Sequence, residues 1–316
     1  MSRVVAVIGL LLLLAACTSS PPPPTGAPES ASPSAPPASG AATLEPTTAA
    51  PATPAPSPTE SPAALESELI EPGVLDVCLA IVGAQAATVN AEGELVGYNV
   101  SFAREIAARL DLEPSFQQPL FEEVIDLVAD HECDISVSSQ NITASRLERM
   151  SMIPYTKSQQ PVLVEIGNPH NIDSLQSLCG LAVAATAGTT HADLVQGRGD
   201  YADAGLNDDC REAGRDAIDL QTYPTEAEAV GALLDGEVAA YLGNSGFIVE
   251  NEDDIAYAQT TLPPARQGIG VARDHAVLFA AVESALTTMI ADGTYRQILT
   301  QHLPNADSVD IVSIEN

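Results

Sequence analysis

Residues 133–146 read CDISVSSQNITASR and combine three features in one short stretch. The segment starts with a β-branched run typical of a strand, continues through hydroxyl and amide side chains, and reaches Arg146 just after a helix start indicated by Thr143. A helix N-terminus offers free N–H donors, and a guanidinium matches a carboxylate with two parallel hydrogen bonds. The stretch predicts an anion site at a sheet edge, although on its own a solvated loop with a surface arginine is the simpler interpretation.

Strand and helix patterns alternate on both sides of this stretch. Besides the strand that begins at Cys133, short apolar runs predict strands at residues 74–81, 115–117, 161–166, 181–186, 217–223, 238–242, 255–260 and 268–272. Besides a helix from His191, apolar side chains at helical spacing predict helices at residues 98–110, 121–128, 225–234, 276–290 and 295–303. This order indicates two successive α/β units, each a mostly parallel sheet flanked by helices.

The first 65 residues have the features of an exported lipoprotein. Residues 1–16 contain an apolar run that is too short to span a bilayer, which predicts a cleaved signal peptide. The sequence LAAC at 14–17 resembles a bacterial lipobox and implies lipidation of Cys17, with a plain secretory signal as the alternative. Residues 17–65 are rich in Pro, Ser, Thr and Ala and predict a lipid-anchored, disordered tether.

The net charge of −31, with Lys157 as the only lysine, restricts the possible partners. Nucleic acid and anionic lipid surfaces would both be repelled, so we expect neither to bind directly. A solvated acidic surface is the simplest account of the charge, and we expect a monomer. With 316 residues, of which 45% are hydrophobic, the chain can bury one large core or two moderate ones.

Four cysteines follow the tether, at positions 78, 133, 179 and 210. An even number in an exported domain favours disulfides, and three pairings are possible in principle. Because the first and third strands of a parallel sheet can be neighbours, Cys78 with Cys133 is favoured, which leaves Cys179 with Cys210 inside the second unit. The cysteine and histidine spacings of a zinc site are absent, so we expect no metal and no cofactor.

A second possible anion site lies in the second α/β unit. There, Gly188, Thr189 and Thr190 follow a predicted strand and open a helix. Glycine and hydroxyl residues at such a turn can aim backbone N–H groups at one anion, although an ordinary helix cap has the same pattern.

Five short motifs, in order along the chain, resemble those of one known family. They are GELVGYNV at 93–100, Thr143 with Arg146, PY at 154–155, GTT at 188–190 and ADGTY at 291–295. The family is the extracytoplasmic solute-binding proteins of polar amino-acid ABC transporters, family 3. The resemblance implies an α/β, two-lobed type II periplasmic-binding-protein fold with a two-strand hinge. Its lobe 1 would comprise residues 66–158 plus 259–316, and its lobe 2 residues 159–258.

The resemblance also implies how a ligand binds. The lobes would close over a small carboxylate-bearing, amino-acid-like ligand, and an ABC permease would recognise the closed form. In this family the arginine of the T-x-x-R motif, here Arg146, clamps the α-carboxylate. The ligand-binding residues implied for this chain are Ser138, Ser139, Asn141, Arg146, Thr189, Thr190 and Asn244.

The chain departs from the family pattern at two places. Asn244 stands where the family usually has an acidic residue that pairs with the α-ammonium of the ligand, and the usual aspartate and aromatic positions near the first strand fall on Ala80, Gly83 and Ala86. Burying an ammonium without a carboxylate costs several kcal/mol. Tyr98, Tyr241 or Glu250 are alternative contributors, and a carboxylate with a neutral donor is an equally open ligand class.

Three functions are consistent with these observations. The first is a receptor of an ABC importer, lipid-anchored at the extracytoplasmic face of the bacterial cell membrane. The second is a sensor or partner-binding lipoprotein on the same fold. The third is an enzyme resembling cyclohexadienyl dehydratases, which need a cleft carboxylate as general acid. Because the obvious position for that acid holds Asn244, we expect a binding protein and not an enzyme.

Overall fold

The computed structural model describes residues 62–83, 85–243 and 253–303. Within these ranges the strands are β1 Val74–Cys78, β2 Thr88–Val89, β3 Leu95–Val96, β4 Glu113–Gln117, β5 Ile135–Asn141, β6 Met150–Glu165, β7 Ala182–Thr186, β8 Asp219–Tyr223, β9 Ala240–Leu242 and β10 Ile255–Ala272. The α-helices of the same ranges are α1 Pro62–Glu66, α2 Tyr98–Arg109, α3 Val124–Ala129, α4 Ala144–Leu147, α5 Thr190–Gln196, α6 Leu206–Glu212, α7 Glu226–Leu234, α8 Ala276–Asp292 and α9 Thr294–His302.

Eight strands form one continuous sheet in the order β4-β1-β5-β10-β6-β9-β7-β8. At one end, β1 runs parallel to β4 and β5, and at the other end β7 runs parallel to β8 and β9. Between them, β10 is antiparallel to both β5 and β6, and β6 is antiparallel to β9. The two parallel units are therefore joined through β6 and β10, in agreement with the expected pair of α/β units.

The two joining strands are longer than the sequence patterns indicate. β6 has 16 residues and β10 has 18, whereas the patterns predicted separate strands at 255–260 and 268–272. The pairing of β10 with β6 shifts register between Leu262 and Ala265, where Pro263 and Pro264 lie. Proline cannot donate a ladder hydrogen bond, and a register shift accommodates it without ending the strand. The prediction of two strands was wrong for this reason.

Buried apolar residues form three clusters. The first and largest collects residues between Leu69 and Tyr155 together with residues between Ile269 and Leu299. The other two lie wholly within residues 162–258, on the two faces of the second parallel unit. The first cluster thus falls within the residues expected for lobe 1 and the others within those expected for lobe 2. The residue boundaries of the lobes remain a prediction.

The C-terminal helices complete the first core. Tyr295, at the start of α9, is buried and donates a 2.6 Å hydrogen bond from its hydroxyl to the carbonyl oxygen of Tyr155 in β6. The ring of Phe102 on α2 packs against both tyrosine rings, with centroids 5.5 and 5.3 Å away. This aromatic cluster fixes β6, and with it the start of the connection to lobe 2, on the body of lobe 1.

Two disulfides are present, Cys78 with Cys133 and Cys179 with Cys210. Their Cα atoms are 5.7 and 5.6 Å apart, and they close loops of 55 and 31 residues in sequence separation. Restricting the unfolded chain over loops of this length contributes about 4 kcal/mol per bond in the chain-entropy account. Each lobe therefore has its own covalent cross-link.

Several sequence predictions lie outside the described residues, namely the signal peptide, Cys17, the tether up to residue 61, Asn244 and Glu250. The last residues predicted for the tether, 62–65, belong to helix α1. In the part of the chain that the structure describes, no single helix is long and apolar enough to cross a membrane. Helices α8 and α9 are long and apolar enough only when they are taken together, and they are bent by 81° at Gly293. Leu278, Val282 and Leu286 of α8 are buried in the first core, as in a core helix of a globular domain.

Candidate functional site

Arg146 lies where β5 gives way to the short helix α4. Thr143 caps this helix, since its hydroxyl accepts a hydrogen bond from the Arg146 backbone N–H. The guanidinium is buried and donates from Nη1 to the carbonyl oxygen of Asn141 at 2.9 Å and from Nη2 to that of Gly188 at 3.0 Å. Because Gly188 belongs to lobe 2, Arg146 connects the two lobes. Two of its five N–H groups are accounted for by these bonds.

Arg146 keeps its charge at this buried position. Burial lowers the pKa of its guanidinium to about 10, while the nearby Asp193, Tyr201 and Asp200 act in the opposite direction. A group with this pKa is fully protonated at neutral pH. The ring of Phe121 lies with its centroid 5.7 Å from Cζ of Arg146, which is a cation–π distance. The sequence analysis had placed Phe121 inside a helix, but α3 begins only at Val124 and leaves this ring at the cleft.

A small cavity, partly open to solvent, adjoins Arg146 between the lobes. Its lining residues are Val82, Phe121, Ser139, Asn141, Arg146, Thr186, Thr189, Thr190, His191, Glu226, Tyr241 and Gly243. Five of the seven ligand-binding residues implied by the sequence are among them. Ser138 is not, because its hydroxyl accepts from the Ala80 N–H and donates to the Cys78 carbonyl, which fastens β5 to β1.

Ser139 is held in the left-handed region, with φ 52°, by a buried polar network. Its backbone N–H donates to the hydroxyl of Tyr155 at 3.0 Å, and its own hydroxyl accepts from Nδ2 of Asn99 at 3.0 Å. The Tyr98 hydroxyl lies 3.1 Å from the same oxygen. A residue other than glycine adopts this backbone conformation only where its surroundings enforce it, and such positions cluster at functional sites.

Asn141 and Thr190 connect the lobes below the cavity. Nδ2 of Asn141 donates to Oγ1 of Thr190 at 2.7 Å and to Oε1 of Gln160 at 3.0 Å. The amide oxygen Oδ1 of Asn141 is buried and has no hydrogen-bond partner among the described residues. Burying an acceptor without a hydrogen bond costs free energy, so this oxygen is a suitable partner for an N–H group of a ligand.

Further contacts hold the lobes together at the rim. The carboxylate of Asp200 accepts from the Ala144 N–H at 2.9 Å and from the Ser145 hydroxyl at 2.6 Å. Gly188, with φ 70°, approaches lobe 1 so closely that a Cβ atom there would lie 2.6 Å from Cα of Glu122. Glycine is thus required at the GTT motif both for its backbone conformation and for this contact. The structure represents a closed arrangement of the two lobes.

His191 follows the GTT motif and is 3% exposed. Neither ring nitrogen has a hydrogen-bond partner among the described residues. Burial, and then the charge of Arg146, lower the pKa of His191 from 6.5 to about 4. The ring is therefore neutral at pH 7 and offers one donor and one acceptor at the cavity wall.

Glu226 is the acidic residue of the cavity that sequence reasoning missed. It is 4% exposed and is the first residue of α7, whose N-cap Thr225 forms a capping box with Glu228. Burial, and then the Glu226 charge, raise the pKa of Tyr241 well above its usual value. The cavity therefore carries a cation from lobe 1 and an acidic residue from lobe 2.

The sequence did contain a signal for Glu226. The helix start at Thr225 follows the carboxyl end of β8, which is parallel to β7, and the GTT motif follows the carboxyl end of β7. Ligand sites in α/β sheets lie outside the carboxyl ends of the strands, so both helix starts face the same site. The positions expected for an acid from the family pattern were Asn244 and the first strand, with Glu250 as an alternative, and Glu226 was not among them.

Comparisons with known proteins agree on one group of relatives. Residues 81–305 match the family of bacterial extracellular solute-binding proteins, family 3. The ABC transporter arginine-binding protein 1 of Escherichia coli K12 is 24% identical over 218 residues, covering 69% of this chain and 85% of that protein. An ancestral arginine-binding protein bound to arginine superposes with a TM-score of 0.65 at 23% identity, covering 73% and 98% of the two chains.

A third similar protein concerns the catalytic alternative. It is the ancestral amino acid-binding protein AncCDT-1, a precursor of cyclohexadienyl dehydratase, with a TM-score of 0.62 at 20% identity over 72% of this chain and 95% of that one. At such identities the superpositions show the fold alone. Together with the family match they confirm the predicted two-lobed α/β fold.

Proposed function

Because the chain belongs to the bacterial extracellular solute-binding proteins of family 3, we propose that it is the substrate receptor of an ABC importer for a small carboxylate-bearing, amino-acid-like ligand. The observation that carries the proposal is the buried, charged Arg146 beside a cavity between the lobes. A buried guanidinium that makes two side-chain hydrogen bonds among the described residues is suited to a carboxylate, which would both neutralise it and accept two parallel hydrogen bonds.

Other residues that line the cavity suggest how the remainder of such a ligand is held. Glu226 supplies the carboxylate that the sequence lacks at Asn244, and Oδ1 of Asn141 is an acceptor without a partner among the described residues. An ammonium or other cationic group of the ligand would bind here, while its carboxylate binds Arg146 with help from Ser139, Thr189 and Thr190. Phe121 provides the aromatic surface that the first strand lacks.

The finer features of the receptor are also proposals. We place it at the extracytoplasmic face of the cell membrane, anchored through a lipid on Cys17 and a tether at 17–65, with lobe 1 at 66–158 plus 259–316 and lobe 2 at 159–258. β6 and β10 would act as the hinge, because they are the strands through which the two parallel units are joined. The closed form of the monomer would be the state that the ABC permease recognises.

A ligand screen tests this function. The purified chain is mixed with amino acids, carboxylates and amines, and its melting temperature is measured, since a ligand at about 100 times its Kd adds roughly 2.7 kcal/mol to the stability of the native state. We expect a carboxylate-bearing ligand to raise the melting temperature of the wild type and of Arg149→Ala, an exposed neighbour, but not of Arg146→Ala. No shift with any compound would contradict the receptor function and favour the sensor or partner-binding alternative.

One observation favours a second candidate, an enzyme related to the dehydratases. The objection to catalysis was that the cleft lacked a carboxylic acid, and Glu226 now provides one that is buried and faces the cavity. A general acid of this kind could protonate a leaving hydroxyl group. Turnover of a prephenate-like substrate by the wild type, abolished in Glu226→Gln, would establish the enzyme; binding without turnover would exclude it.

A further inference from the structure

Three side chains that could bind a metal ion meet on lobe 1, and none of them lines the cleft cavity. They are His131, Asp274 and His275, and one ligand atom from each lies within 4.8 Å of the other two. Nε2 of His131 is 3.5 Å from Oδ2 of Asp274, and the two imidazole centroids are 4.4 Å apart with a tilt of 34°. We call these residues the His–Asp–His cluster.

Regular structure fixes both sides of the cluster. His131 has φ 59° and follows Asp130, the C-cap of α3, and its backbone N–H donates to the Val128 carbonyl at 3.3 Å. His275 is the N-cap of α8, with its N–H donating to Ala272 at 3.1 Å and its carbonyl accepting from Phe279 at 3.0 Å. The side chains therefore project from two helix ends whose backbones are held in place, which reduces the entropy lost on binding an ion.

The chemistry of the cluster suits a borderline divalent metal. Neutral imidazole nitrogens and a carboxylate are the ligands of Zn²⁺ sites that have three protein ligands and an open fourth position. Hard cations such as Mg²⁺ and Ca²⁺ prefer oxygen ligands throughout. With metal–ligand bonds of about 2.0–2.2 Å, the ligand atoms must lie closer together than 4.8 Å, so binding an ion requires these side chains to move toward one another.

Two observations point to an ion rather than a simple surface ion pair. Nδ1 of His275 is buried and has no hydrogen-bond partner among the described residues, a cost that coordination through this nitrogen would offset. The side chains of His131 and Asp274 are 40% and 74% exposed, so an ion can reach the cluster from solvent. The net charge of −31 attracts cations to the whole chain.

We propose that the His–Asp–His cluster is a binding site for a divalent transition-metal ion, with Zn²⁺ the best fit, which links the end of α3 to the start of α8. The proposal is independent of the proposed transport function, because its residues are separate from the cleft. No metal was expected from the sequence because it lacks the cysteine and histidine spacings of a zinc site. His131 and Asp274 are far apart in the chain and form no such motif. Only the fold brings them together.

Titration of the purified, untagged full chain tests the proposal. After treatment with EDTA, the chain is titrated with Zn²⁺ by calorimetry and with Co²⁺ by visible absorption, which reports the coordination geometry. We expect one ion per chain, and we expect His131→Ala and Asp274→Asn each to weaken binding by at least about tenfold. His170→Ala removes an exposed histidine outside the cluster and serves as the matched control.

Two further measurements separate this result from misfolding and from failure of the receptor function. Unchanged circular dichroism of Asp274→Asn, whose side chain is exposed, shows that its loss of metal is local. Arg146→Ala should keep full Zn²⁺ affinity, whatever the cleft binds. Absence of Zn²⁺ binding by the wild type, or binding that neither His131→Ala nor Asp274→Asn weakens, would overturn the proposal.

Discussion

Arg146 and Glu226 are two buried charged residues at one cavity, and each is positioned by a helix start. Burying a charged side chain is costly, and buried charged groups at a cavity between lobes are typical of binding sites. For Arg146 the partners in the closed structure are two backbone carbonyls, which are weaker acceptors than a carboxylate. A ligand with an anionic and a cationic group could contact both residues.

Replacing Glu226 by glutamine keeps its size and removes its charge. If Glu226 binds the cationic group of the ligand, Glu226→Gln should lower the affinity for an amino-acid ligand by about 10- to 100-fold. This corresponds to the roughly 1.5–3 kcal/mol that a hydrogen bond to a charged group contributes. The des-amino carboxylate should bind the variant and the wild type equally. Calorimetric titrations of both compounds measure this, with the exposed Glu237→Gln as control. If both compounds bound more weakly to the variant by the same factor, the substitution would have caused a structural defect.

His191 gives the stability of the protein a specific pH dependence. Its pKa is about 4 in the folded chain but near 6.5 in the unfolded chain, so between these values the unfolded state binds more protons. The free energy of unfolding should therefore fall as the pH is lowered from about 6.5 to about 4, by about 3 kcal/mol for this residue.

Denaturant titrations of the wild type and of His191→Gln over this pH range isolate the contribution, because the other titrating groups are common to both. The difference between the two stability curves should shrink as the pH falls. Parallel curves would show that His191 is not buried in its neutral form.

At the scale of elements, the closed arrangement depends on the turn between β7 and α5. Gly188 contributes a carbonyl to Arg146 and packs against Glu122 without room for a Cβ atom. A turn of this kind couples ligand recognition to closure, since the same residues that border the ligand also meet the opposite lobe.

Gly188→Ala should therefore impair closure. The new methyl group would displace Glu122, and we expect at least tenfold weaker ligand binding together with a larger radius of gyration in the presence of ligand, measured by small-angle X-ray scattering. Gly214→Ala is the matched control: its φ of 68° imposes a similar backbone cost of about 1 kcal/mol, but nothing lies within 4 Å of the added carbon. Equal behaviour of the two variants would mean that the contact with Glu122 is unimportant.

Most elements were predictable because their signals are local. The periodicity of α2 and α8, the caps at Thr143 and Thr189, and the alternation of strands with helices all follow from neighbouring residues. The continuity of β10 through Pro263 and Pro264 was not predictable from the sequence, because it depends on a register shift in the pairing of β10 with β6.

The site was predictable only in part, because some of its residues meet through contacts between segments that are remote in sequence. Arg146, Ser139 and Thr190 lie in local motifs, whereas Phe121 and Glu226 reach the cavity through the packing of two lobes. His131 and Asp274 meet through the contact between a helix end and a helix start that are remote in sequence. Charged residues that come together only through tertiary packing have no local sequence pattern that identifies them.

For the whole molecule, the two lobes have separate cores, separate disulfides and one shared sheet. Rigid lobes joined by a few strands can move as bodies, so that binding energy from the cleft is converted into closure. A ligand can shift this equilibrium only through contacts that differ between the open and closed forms. The bond from Arg146 to Gly188 and the contact of Gly188 with Glu122 are interactions of this type.

The central claim is that Arg146 holds a ligand carboxylate in the closed cleft. The most direct test is to titrate the ligand and its carboxamide analogue, in which the carboxylate is neutralised, into the wild type and Arg146→Ala. We predict that the wild type binds the carboxamide analogue at least about tenfold more weakly than the ligand itself. Arg146→Ala should bind the two compounds weakly and with nearly equal affinity. If both proteins show the same loss, the carboxylate is recognised elsewhere and the account is wrong.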